Sequence, residues 1–440
     1  MQLPEVFITR TKELLGDDWA AFEQALSEES PISIRFNLKK SNPDFQACDL
    51  PVFEPISWAS GGYYLKNRPL FTLDPLFHAG CYYVQEASSM ILEHFVNNYF
   101  PNSAKVLDLC AAPGGKSTHL SSLLEDESLL VSNEVIRSRA NILTENLIKW
   151  GNPNTIVTSN DPAEIGKSLT AFFDVIVADL PCSGEGMFRK DPTAIAEWSV
   201  NNVRLCAERQ RRIIADIWPA LKPDGILIYS TCTYNREENE ENIEWICREF
   251  NALLLEEPRR MMPHKIKGEG FFIAGIRKNE EPAVSVKNER KKSKGEGIGA
   301  LNSSPFSHCL SNPNDFIFIS ENSRWIAVPA IHYSDYIYLK NSLRILSAGV
   351  ILGEIKGKDL IPAHCLAMSN VLSDAAFPKW DADKETALRY LRKEVFNDIP
   401  SETLKGYVLI TYNNYPLGFV KNIGTRANNL YPQDWRIRKL

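Results

Sequence analysis

Two cysteines stand where a thiol can act as a nucleophile. Cys182 lies in the segment DLPCSGEG and Cys232 in the segment STCTYN, and each follows a short apolar run that predicts a buried strand. A thiolate is a strong nucleophile that forms covalent intermediates with its substrate. Spacing alone leaves open which of the two cysteines would play this part.

A second segment, VLDLCAAPGGKSTHL, predicts a strand, a tight turn and the start of a helix. In this arrangement backbone N–H groups and a helix N-terminus face a ligand. The glycine and lysine spacing of a P-loop is absent, and so is the three-glycine fingerprint of dinucleotide-binding folds. The turn therefore predicts a ligand other than ATP or a nicotinamide cofactor.

Carboxylates follow three of the predicted strands. Glu134 ends the second strand, where it can accept hydrogen bonds from the two hydroxyls of a ribose, and Asp161 and Asp179 follow the third and fourth. A single acidic residue after a strand is equally well explained as a turn former or a helix cap. Three around one crevice favour a cationic sulfonium cofactor with an adenosine tail.

The elements that must position these groups alternate between short apolar runs and helical stretches, which is typical of a parallel sheet with crossover helices. Helices are predicted at 116–124, 136–150 and 204–221. Strands are predicted at 105–109, 129–133, 155–159, 174–178, 226–230 and 271–276. The expected fold is α/β, with a doubly wound, mostly parallel sheet whose carboxyl edge carries every candidate named so far.

Composition excludes several classes of protein. The nine cysteines are odd in number and lack the paired CxxC spacing of zinc sites, so we expect neither disulfides nor a metal. A net charge of −6 argues against a uniformly basic surface but allows a local basic patch. Neither a leader-like start nor an apolar run of about 18 residues occurs, which predicts a cytoplasmic protein without a membrane span.

Three motifs, CAAPGGK, ADLPCSGEG and STCTYNREENE, resemble those of the Sun-type (Nol/Nop/Sun, also called Fmu) family of RNA cytosine-5 methyltransferases. The resemblance extends over most of the chain, through YVQEASSM before the core and GFVKNIGTRANNLYP near the end, and is greatest to members that act on bacterial ribosomal RNA. It implies a Rossmann-like methyltransferase core and S-adenosylmethionine as cofactor. The implied cofactor contacts are Cys110, Ala111, Ala112, Pro113, Gly114, Gly115, Lys116, Glu134, Asp161 and Asp179.

The resemblance also implies roles for the two cysteines. Carbon 5 of cytosine becomes nucleophilic enough for methylation only after a thiolate adds to carbon 6. A Pro-Cys nucleophile, known from DNA cytosine-5 methyltransferases, would favour Cys182, but the more similar Sun-type family uses the cysteine of the Thr-Cys motif. We therefore expect Cys232 to be the nucleophile, Cys182 to assist product release and Asp179 to contact the cytosine ring, with the base for the carbon-5 proton left open.

The implied partner is RNA, specifically 16S ribosomal RNA or the small ribosomal subunit, bound by a monomer. The tail 421–440 carries five basic residues against one acidic residue, which suits phosphate contacts but also describes a solvated tail. Arg35 and Asn37 match an Arg-x-Asn element of the family, although on residue type alone they are a polar strand face. The expected RNA contacts are Arg35, Asn37, Lys421, Arg426, Tyr431 and Arg436.

Four regions are expected along the chain. Residues 1–95 form an N-terminal α+β accessory domain that binds RNA, and 96–280 form the methyltransferase core. Residues 281–300, with the basic run KNERKKSK, form a linker, and 301–440 form a β-rich, PUA-like RNA-binding region.

Two other functions are possible for a chain with this predicted fold. A methyltransferase for exocyclic amines would carry Asn/Asp-Pro-Pro-aromatic where this chain has Asp-Leu-Pro-Cys at 179–182. A non-catalytic assembly factor would not need the cofactor turn or Cys232, and both are present. Neither alternative therefore explains the motifs as well.

Overall fold

The computed structural model describes residues 2–40, 50–279, 300–321, 323–400 and 403–438. The predicted linker at 281–300, with its basic run, lies outside these residues except for position 300. In the described parts of the chain, none of the helices is both long and apolar enough to cross a bilayer.

The N-terminal region combines helices with a small antiparallel sheet of order β2-β3-β1-β4. In β1, positions 33 to 36 are all buried, so both faces of the strand are covered. The elements are α1 (Glu5–Leu15), α2 (Trp19–Ser27), β1 (Ile32–Phe36), β2 (Val52–Pro55), β3 (Gly62–Leu65), α3 (Pro75–His78), β4 (Tyr82–Val84) and α4 (Leu92–Tyr99).

The central region confirms the predicted doubly wound sheet. Its residues are apolar in long runs because helices cover both faces. The elements are β5 (Lys105–Asp108), α5 (Gly115–Leu123), β6 (Leu129–Asn133), α6 (Arg137–Trp150), β7 (Thr155–Thr158), α7 (Pro162–Ser168), β8 (Phe173–Asp179), α8 (Pro192–Glu197), α9 (Val200–Ile217), β9 (Leu221–Thr231), α10 (Glu240–Glu249), β10 (Leu253–Leu254), β11 (Arg259–Met261) and β12 (Phe271–Arg277).

Five parallel strands lie in the order β9-β8-β5-β6-β7, and β12 joins β9 in antiparallel orientation. The chain order reverses between β5 and β8, which is where ligands bind in open sheets of this kind. The helix expected at 204–221 differs at both ends. It begins at Val200, where Ser199 caps it, and it ends at Ile217, because Pro219 cannot continue it and Leu221 begins β9.

The C-terminal region holds two further sheets, β13-β14-β15-β17-β18 and β19-β20-β21-β22. Its elements are β13 (Ala300–Leu301), β14 (Phe316–Glu321), β15 (Arg324–Pro329), α11 (Tyr333–Ser342), β16 (Ile345–Ala348), β17 (Val350–Lys356), β18 (Asp359–Pro362), α12 (His364–Met368), β19 (Lys379–Asp381), α13 (Lys384–Leu391), β20 (Gly406–Tyr412), β21 (Tyr415–Asn422) and β22 (Ala427–Asn429).

Strand β16 leaves these sheets and pairs with β7 in antiparallel orientation, so it extends the central sheet. The predicted division at 301 does not anticipate this exchange. Pairing with β16 covers the backbone of β7, which would otherwise form an open sheet edge. Leu346 of β16 also packs against an apolar cluster that includes Ala111 and Ala112 of the turn that follows β5.

The hydrophobic cores follow the same exchange between regions. Tyr336 and Leu339 of α11 belong to the cluster that fills the central region, together with Ile165 and Phe173. The N-terminal sheet shares a second cluster with β20–β22. The three regions are therefore joined by continuous apolar packing.

We expect Leu339→Ala to lower the free energy of unfolding by about 3 kcal/mol, because it leaves a cavity in a core that two regions share. Urea unfolding of the full chain measures this loss. Asn341→Ala on the exposed side of the same helix is the control, with an expected change below about 0.5 kcal/mol. A loss at Leu339 no larger than that of the control would contradict the shared core.

Candidate active site

The two candidate nucleophiles meet at the carboxyl edge of the central sheet. β8 and β9 are parallel neighbours, so the loops that follow them lie side by side. The Sγ atoms of Cys182 and Cys232 are 3.2 Å apart, within hydrogen-bonding distance. This hydrogen bond, together with burial, raises the pKa of Cys182 well above its ordinary value. Cys182 therefore keeps its proton at neutral pH, and its thiol can donate to the sulfur of Cys232.

Asp179 ends β8, the strand between β5 and β9. Its Oδ2 atom lies 2.8 Å from Lys116 Nζ, and Ser230 Oγ donates to Oδ1 at 2.8 Å. Burial lowers the pKa of Lys116, but the charge and hydrogen bond of Asp179 outweigh it and raise that pKa above its ordinary value. The Asp179 side chain is 34% exposed, so its carboxylate is accessible to a substrate although Lys116 and Ser230 hold it in place.

The turn between β5 and α5 forms one wall of a cavity of about 200 Å³, which we call the cofactor crevice. Gly114 has a φ of 116°, in the left-handed region that favours glycine. Asp179 lines the crevice with six of the seven predicted turn residues, which are Cys110, Ala111, Ala112, Pro113, Gly115 and Lys116.

The opposite wall of the crevice comes from the N-terminal region. Its segment YVQEASSM is part of the family resemblance, but none of its residues was predicted to belong to the site. The lining residues from this segment and its start in β4 are Tyr83, Val84, Gln85, Glu86 and Ser89. A side chain added at Gly115 would lie 3.6 Å from the ring of Tyr83, so the two walls face each other closely.

The two other predicted carboxylates lie at neighbouring strand ends and do not line the crevice. Glu134 follows β6 and is buried; the Ile136 N–H donates to its Oε1 at 2.9 Å, and Arg139 lies 3.4 Å from its Oε2. Arg139 also donates to Ala112 O at 2.8 Å, which links Glu134 to the turn. Asp161 caps α7 by accepting from the Ala163 N–H at 3.0 Å, so the helix-cap interpretation holds for it.

Asp108 is a candidate site residue that sequence reasoning missed, because the predicted strand continued to position 109, whereas the structure ends β5 at Asp108. It is fully buried, and Ser117 Oγ donates to its Oδ2 at 2.6 Å. Its Oδ1 has no hydrogen-bond partner in the part of the chain that the structure describes. Burial raises the pKa of Asp108 to about 7; the hydrogen bond from Ser117 and the charge of Lys116 oppose this rise, and the charges of Asp179 and Glu134 add to it.

Models of three protein families match the chain. The model described as 16S rRNA methyltransferase RsmB/F matches residues 99–277, and the model of the N-terminal domain of 16S rRNA methyltransferase RsmF matches 3–87. The model of the methyltransferase RsmF PUA domain matches 377–437. The three matches follow the N-terminal region, the central sheet and the last sheet of the fold.

Relatives match over nearly the whole chain. The ribosomal RNA small subunit methyltransferase F of Shewanella sp. (strain MR-7) is 31% identical and covers 95% of this chain and 93% of its own. The protein of the same name from Salmonella arizonae is 30% identical and covers 98% and 96%. The chain belongs to the RsmB/F family of 16S rRNA methyltransferases.

Solved structures agree with the observed fold. A methyltransferase homologue from Pyrococcus horikoshii is 29% identical, with a TM-score of 0.55 over 62% of this chain and 95% of its own. The structure of NSun6 from Pyrococcus horikoshii with SFG has a TM-score of 0.56, covers 63% of this chain and 99% of its own, and at 20% identity shows the fold alone.

As an RsmB/F family member, the chain is an S-adenosylmethionine-dependent methyltransferase. The crevice fits this cofactor on two observations. The unpartnered Oδ1 of Asp108 can accept a hydrogen bond from a positively charged ligand. Asp179 and Glu134 add negative charge nearby, which suits a sulfonium cation. Among the described residues, no cluster of His, Cys, Asp and Glu is arranged to hold a metal ion.

The predicted RNA contacts of the N-terminal region are wrong. Arg35 is 1% exposed and donates to Gln85 Oε1 at 2.8 Å and to Thr118 Oγ1 at 2.7 Å. Asn37 is fully buried and donates to the carbonyl oxygens of Gly80 and Trp150. Both side chains join β1 to the central region, because that face of β1 is covered rather than exposed.

The predicted tail contacts divide into two groups. Tyr431 is 1% exposed, and its hydroxyl lies 3.4 Å from His78 Nδ1, so the prediction that it contacts RNA is wrong. Lys421 forms an ion pair with Asp359, and Arg426 and Arg436 are exposed. The PUA model matches 377–437, which lies within the region 301–440 expected to be PUA-like.

We expect Arg35→Ala to lower the free energy of unfolding by about 3 kcal/mol, because the change strands buried acceptors and opens a cavity. Urea unfolding measures the loss. Arg426→Ala, which removes an exposed arginine, should change stability by less than about 0.5 kcal/mol. Weaker RNA binding by the Arg35 variant at unchanged stability would restore the original prediction.

We expect Asp108→Asn to stabilise the cofactor-free protein more at pH 8 than at pH 5. The folded pKa of about 7 lies above the ordinary 3.8, so ionising Asp108 destabilises the fold progressively from about pH 4 to pH 7, and asparagine removes this penalty. The gain should grow by about 3 kcal/mol between the two pH values. Unfolding free energies of both proteins at pH 5 and 8 test this, and a pH-independent difference would show that Asp108 is not the titrating group.

Proposed function

We propose that the chain transfers the methyl group of S-adenosylmethionine to carbon 5 of a cytosine in 16S ribosomal RNA, with Cys232 as covalent nucleophile. The observation that carries the proposal is the pair of sulfur atoms 3.2 Å apart beside Asp179 at the carboxyl edge of the sheet. The substrate is proposed from the names of the relatives, which are ribosomal RNA small subunit methyltransferases.

The assignment of Cys232 as the nucleophile is supported by the protonated state of its neighbour Cys182. Cys182 holds its proton, for the hydrogen-bonding and burial reasons given above. Its thiol can stabilise a thiolate on Cys232 through the hydrogen bond between them. The Cys232 sulfur then adds to carbon 6 of cytosine and makes carbon 5 nucleophilic.

Asp179 and Lys116 support this addition. As charge develops on the ring, the open face of Asp179 can accept a hydrogen bond from the protonated ring nitrogen. The ion pair with Lys116 and the hydrogen bond from Ser230 hold the Asp179 carboxylate in place. When bound, S-adenosylmethionine supplies an electrophilic methyl group to carbon 5.

Product release returns the nucleophile. The carbon-5 proton leaves to a base, its bonding electrons restore the ring double bond, and the bond between carbon 6 and Cys232 Sγ breaks. The electron pair of that bond stays on Cys232, where the Cys182 thiol, 3.2 Å away, can donate a hydrogen bond to the departing thiolate. We therefore assign Cys182 to the release step.

The proposed cofactor contacts are the turn of the crevice and the carboxylates at the neighbouring strand ends. Asp108 is added to the predicted set because its buried oxygen lacks a partner among the described residues. Glu134 is proposed to bind the ribose hydroxyls, for which Arg139 would have to share or release its oxygen. The full proposed set is Asp108, Cys110, Ala111, Ala112, Pro113, Gly114, Gly115, Lys116, Glu134, Asp161 and Asp179.

The RNA reaches the site as an unpaired or flipped-out nucleotide, since the reacting carbons are covered in a stacked base; flipping costs about a few kcal/mol. Lys421, Arg426 and Arg436 remain proposed phosphate contacts. We also propose that the chain acts as a monomer. A ribosomal substrate supports a location in the cytoplasm.

We expect Cys232→Ala to reduce methyl transfer about a thousandfold or more, and Cys182→Ala to accumulate a covalent protein–RNA adduct, because addition still occurs while release is slowed. Denaturing gels with target RNA and labelled S-adenosylmethionine measure both. Cys206→Ala, a buried cysteine of α9, is the control and should retain activity. An active Cys232 variant, with no adduct from the Cys182 variant, would overturn the assignment.

The substrate is tested by mapping 5-methylcytosine in 16S ribosomal RNA from cells with and without the protein. We expect one or more cytosines to lose methylation when it is absent and to regain it when purified protein and S-adenosylmethionine are added. Label on adenine, on DNA or on protein would redirect the proposal to a different reaction.

A further inference from the structure

Two buried carboxylates lie between the loops that carry the cysteines. Glu185 follows Cys182 by three positions and is 2% exposed, and Glu238 follows Cys232 by six positions and is fully buried. We call Glu185 and Glu238 the crossed carboxylates. Neither has a role in the mechanism above, although each must be stabilised by strong hydrogen bonds to remain buried.

Glu185 belongs to the Cys182 loop but binds the Cys232 loop. Its Oε2 atom accepts from Thr233 Oγ1 at 2.7 Å, from the Tyr234 N–H at 2.8 Å and from the Asn235 N–H at 2.9 Å. Its Oε1 accepts from Trp198 Nε1 at 3.0 Å. Three consecutive residues directly after Cys232 are thus held by one carboxylate oxygen.

Glu238 makes the reciprocal connection. It belongs to the Cys232 loop, and its Oε2 accepts from the N–H of Ser183, the residue after Cys182, at 3.0 Å. The same oxygen accepts from Gln210 Nε2 at 2.8 Å, and Oε1 accepts from Asn235 Nδ2 at 2.7 Å. A carboxylate of each loop therefore accepts hydrogen bonds from backbone N–H groups close to the cysteine of the other loop.

Direct contacts between the two loops complete the connection. The hydroxyls of Ser183 and Thr233 are 2.9 Å apart, and the Gly186 N–H donates to the carbonyl oxygen of Cys232 at 2.9 Å. A side chain at Gly186 would lie only 2.9 Å from that carbonyl oxygen and 2.6 Å from Gly270 O. The loops are packed so closely that only glycine fits between them.

We propose that Glu185 and Glu238 are positioning residues that set the separation and direction of the Cys182 and Cys232 sulfurs. The inference rests on the proposed function, in which Cys232 bonds to the substrate and the Cys182 thiol donates a hydrogen bond to the Cys232 sulfur. Hydrogen bonds to an ionised carboxylate are about twice as strong as neutral ones, so they can hold irregular loops beyond the strand ends. A displacement of 1 Å at a reacting group can lower a rate by about a hundredfold.

The test reads the sulfur geometry directly. Phenylarsine oxide bridges two close thiols: two S–As bonds form, and the two thiol protons leave with the arsenical oxygen as water. We expect wild-type protein to be bridged between Cys182 and Cys232, as identified by peptide mass mapping. Glu185→Gln and Glu238→Gln should bridge at least tenfold more slowly, because the amide removes the charge and turns a donor toward backbone N–H groups.

The matched control is Glu93→Gln. Glu93 is a carboxylate 5% exposed that accepts from His119 and the Ser60 N–H and contacts neither cysteine loop. The Glu93→Gln variant should be bridged between Cys182 and Cys232 at the wild-type rate. In activity assays, the variants at 185 and 238 should lose about a hundredfold in kcat, with KM values for RNA and S-adenosylmethionine changed less than twofold.

If either glutamine variant fails to fold, Thr233→Val replaces it, since it removes the Thr233 hydrogen bond to Glu185, together with those to Ser183 and Asn235, with little change of shape. We expect bridging about threefold to tenfold slower in this variant. Wild-type bridging rates in all three loop variants would overturn the proposal, as would an equal loss in Glu93→Gln. Bridging needs neither RNA nor cofactor, so this result is independent of whether cytosine is the substrate, which the Cys232→Ala assay decides.

Discussion

The parallel pairing of β5, β8 and β9 is the constraint on which the site depends. The chain order reverses between β5 and β8, so the loops after these strands separate and leave room for a ligand. β9 lies beside β8 with Asp179 opposite Ser230, so the two cysteine loops begin at the same height. Cysteines 50 residues apart in the sequence become neighbours for this reason.

The protonation of the cysteines at this edge depends on their electrostatic surroundings. Burial raises the pKa of Cys110, and a hydrogen bond raises that of Cys182, so both favour the protonated form. Lys116 is the buried cation among Asp108, Asp179 and Glu134, and it pairs with Asp179 while leaving the oxygen of Asp108 unused. The same carboxylates that suit a cationic cofactor thus discourage extra thiolates.

The apolar runs and the acidic strand ends were predictable because a parallel sheet covered on both faces leaves a clear periodic signal. Arg35 and Asn37 were not, since an alternating strand predicts one exposed face and only tertiary packing shows that both faces of β1 are covered. Asp108 was missed because the predicted strand extended one residue past it, so it did not stand out as a strand end. Glu185 and Glu238 lie in the ADLPCSGEG and STCTYNREENE motifs, but their contacts join residues about 50 positions apart, which no local pattern reveals.

Strand β16 has a consequence for how a long substrate is held. It ties the C-terminal region to β7 through backbone hydrogen bonds, and Leu346 packs against the apolar cluster that includes Ala111 and Ala112 of the turn beside the crevice. Arg426 and Arg436 flank β22 of the last sheet, which is held by the core cluster that it shares with the N-terminal sheet. These contacts fix the distance between the tail arginines and the crevice. An RNA that contacts both must therefore have a folded shape that spans this distance.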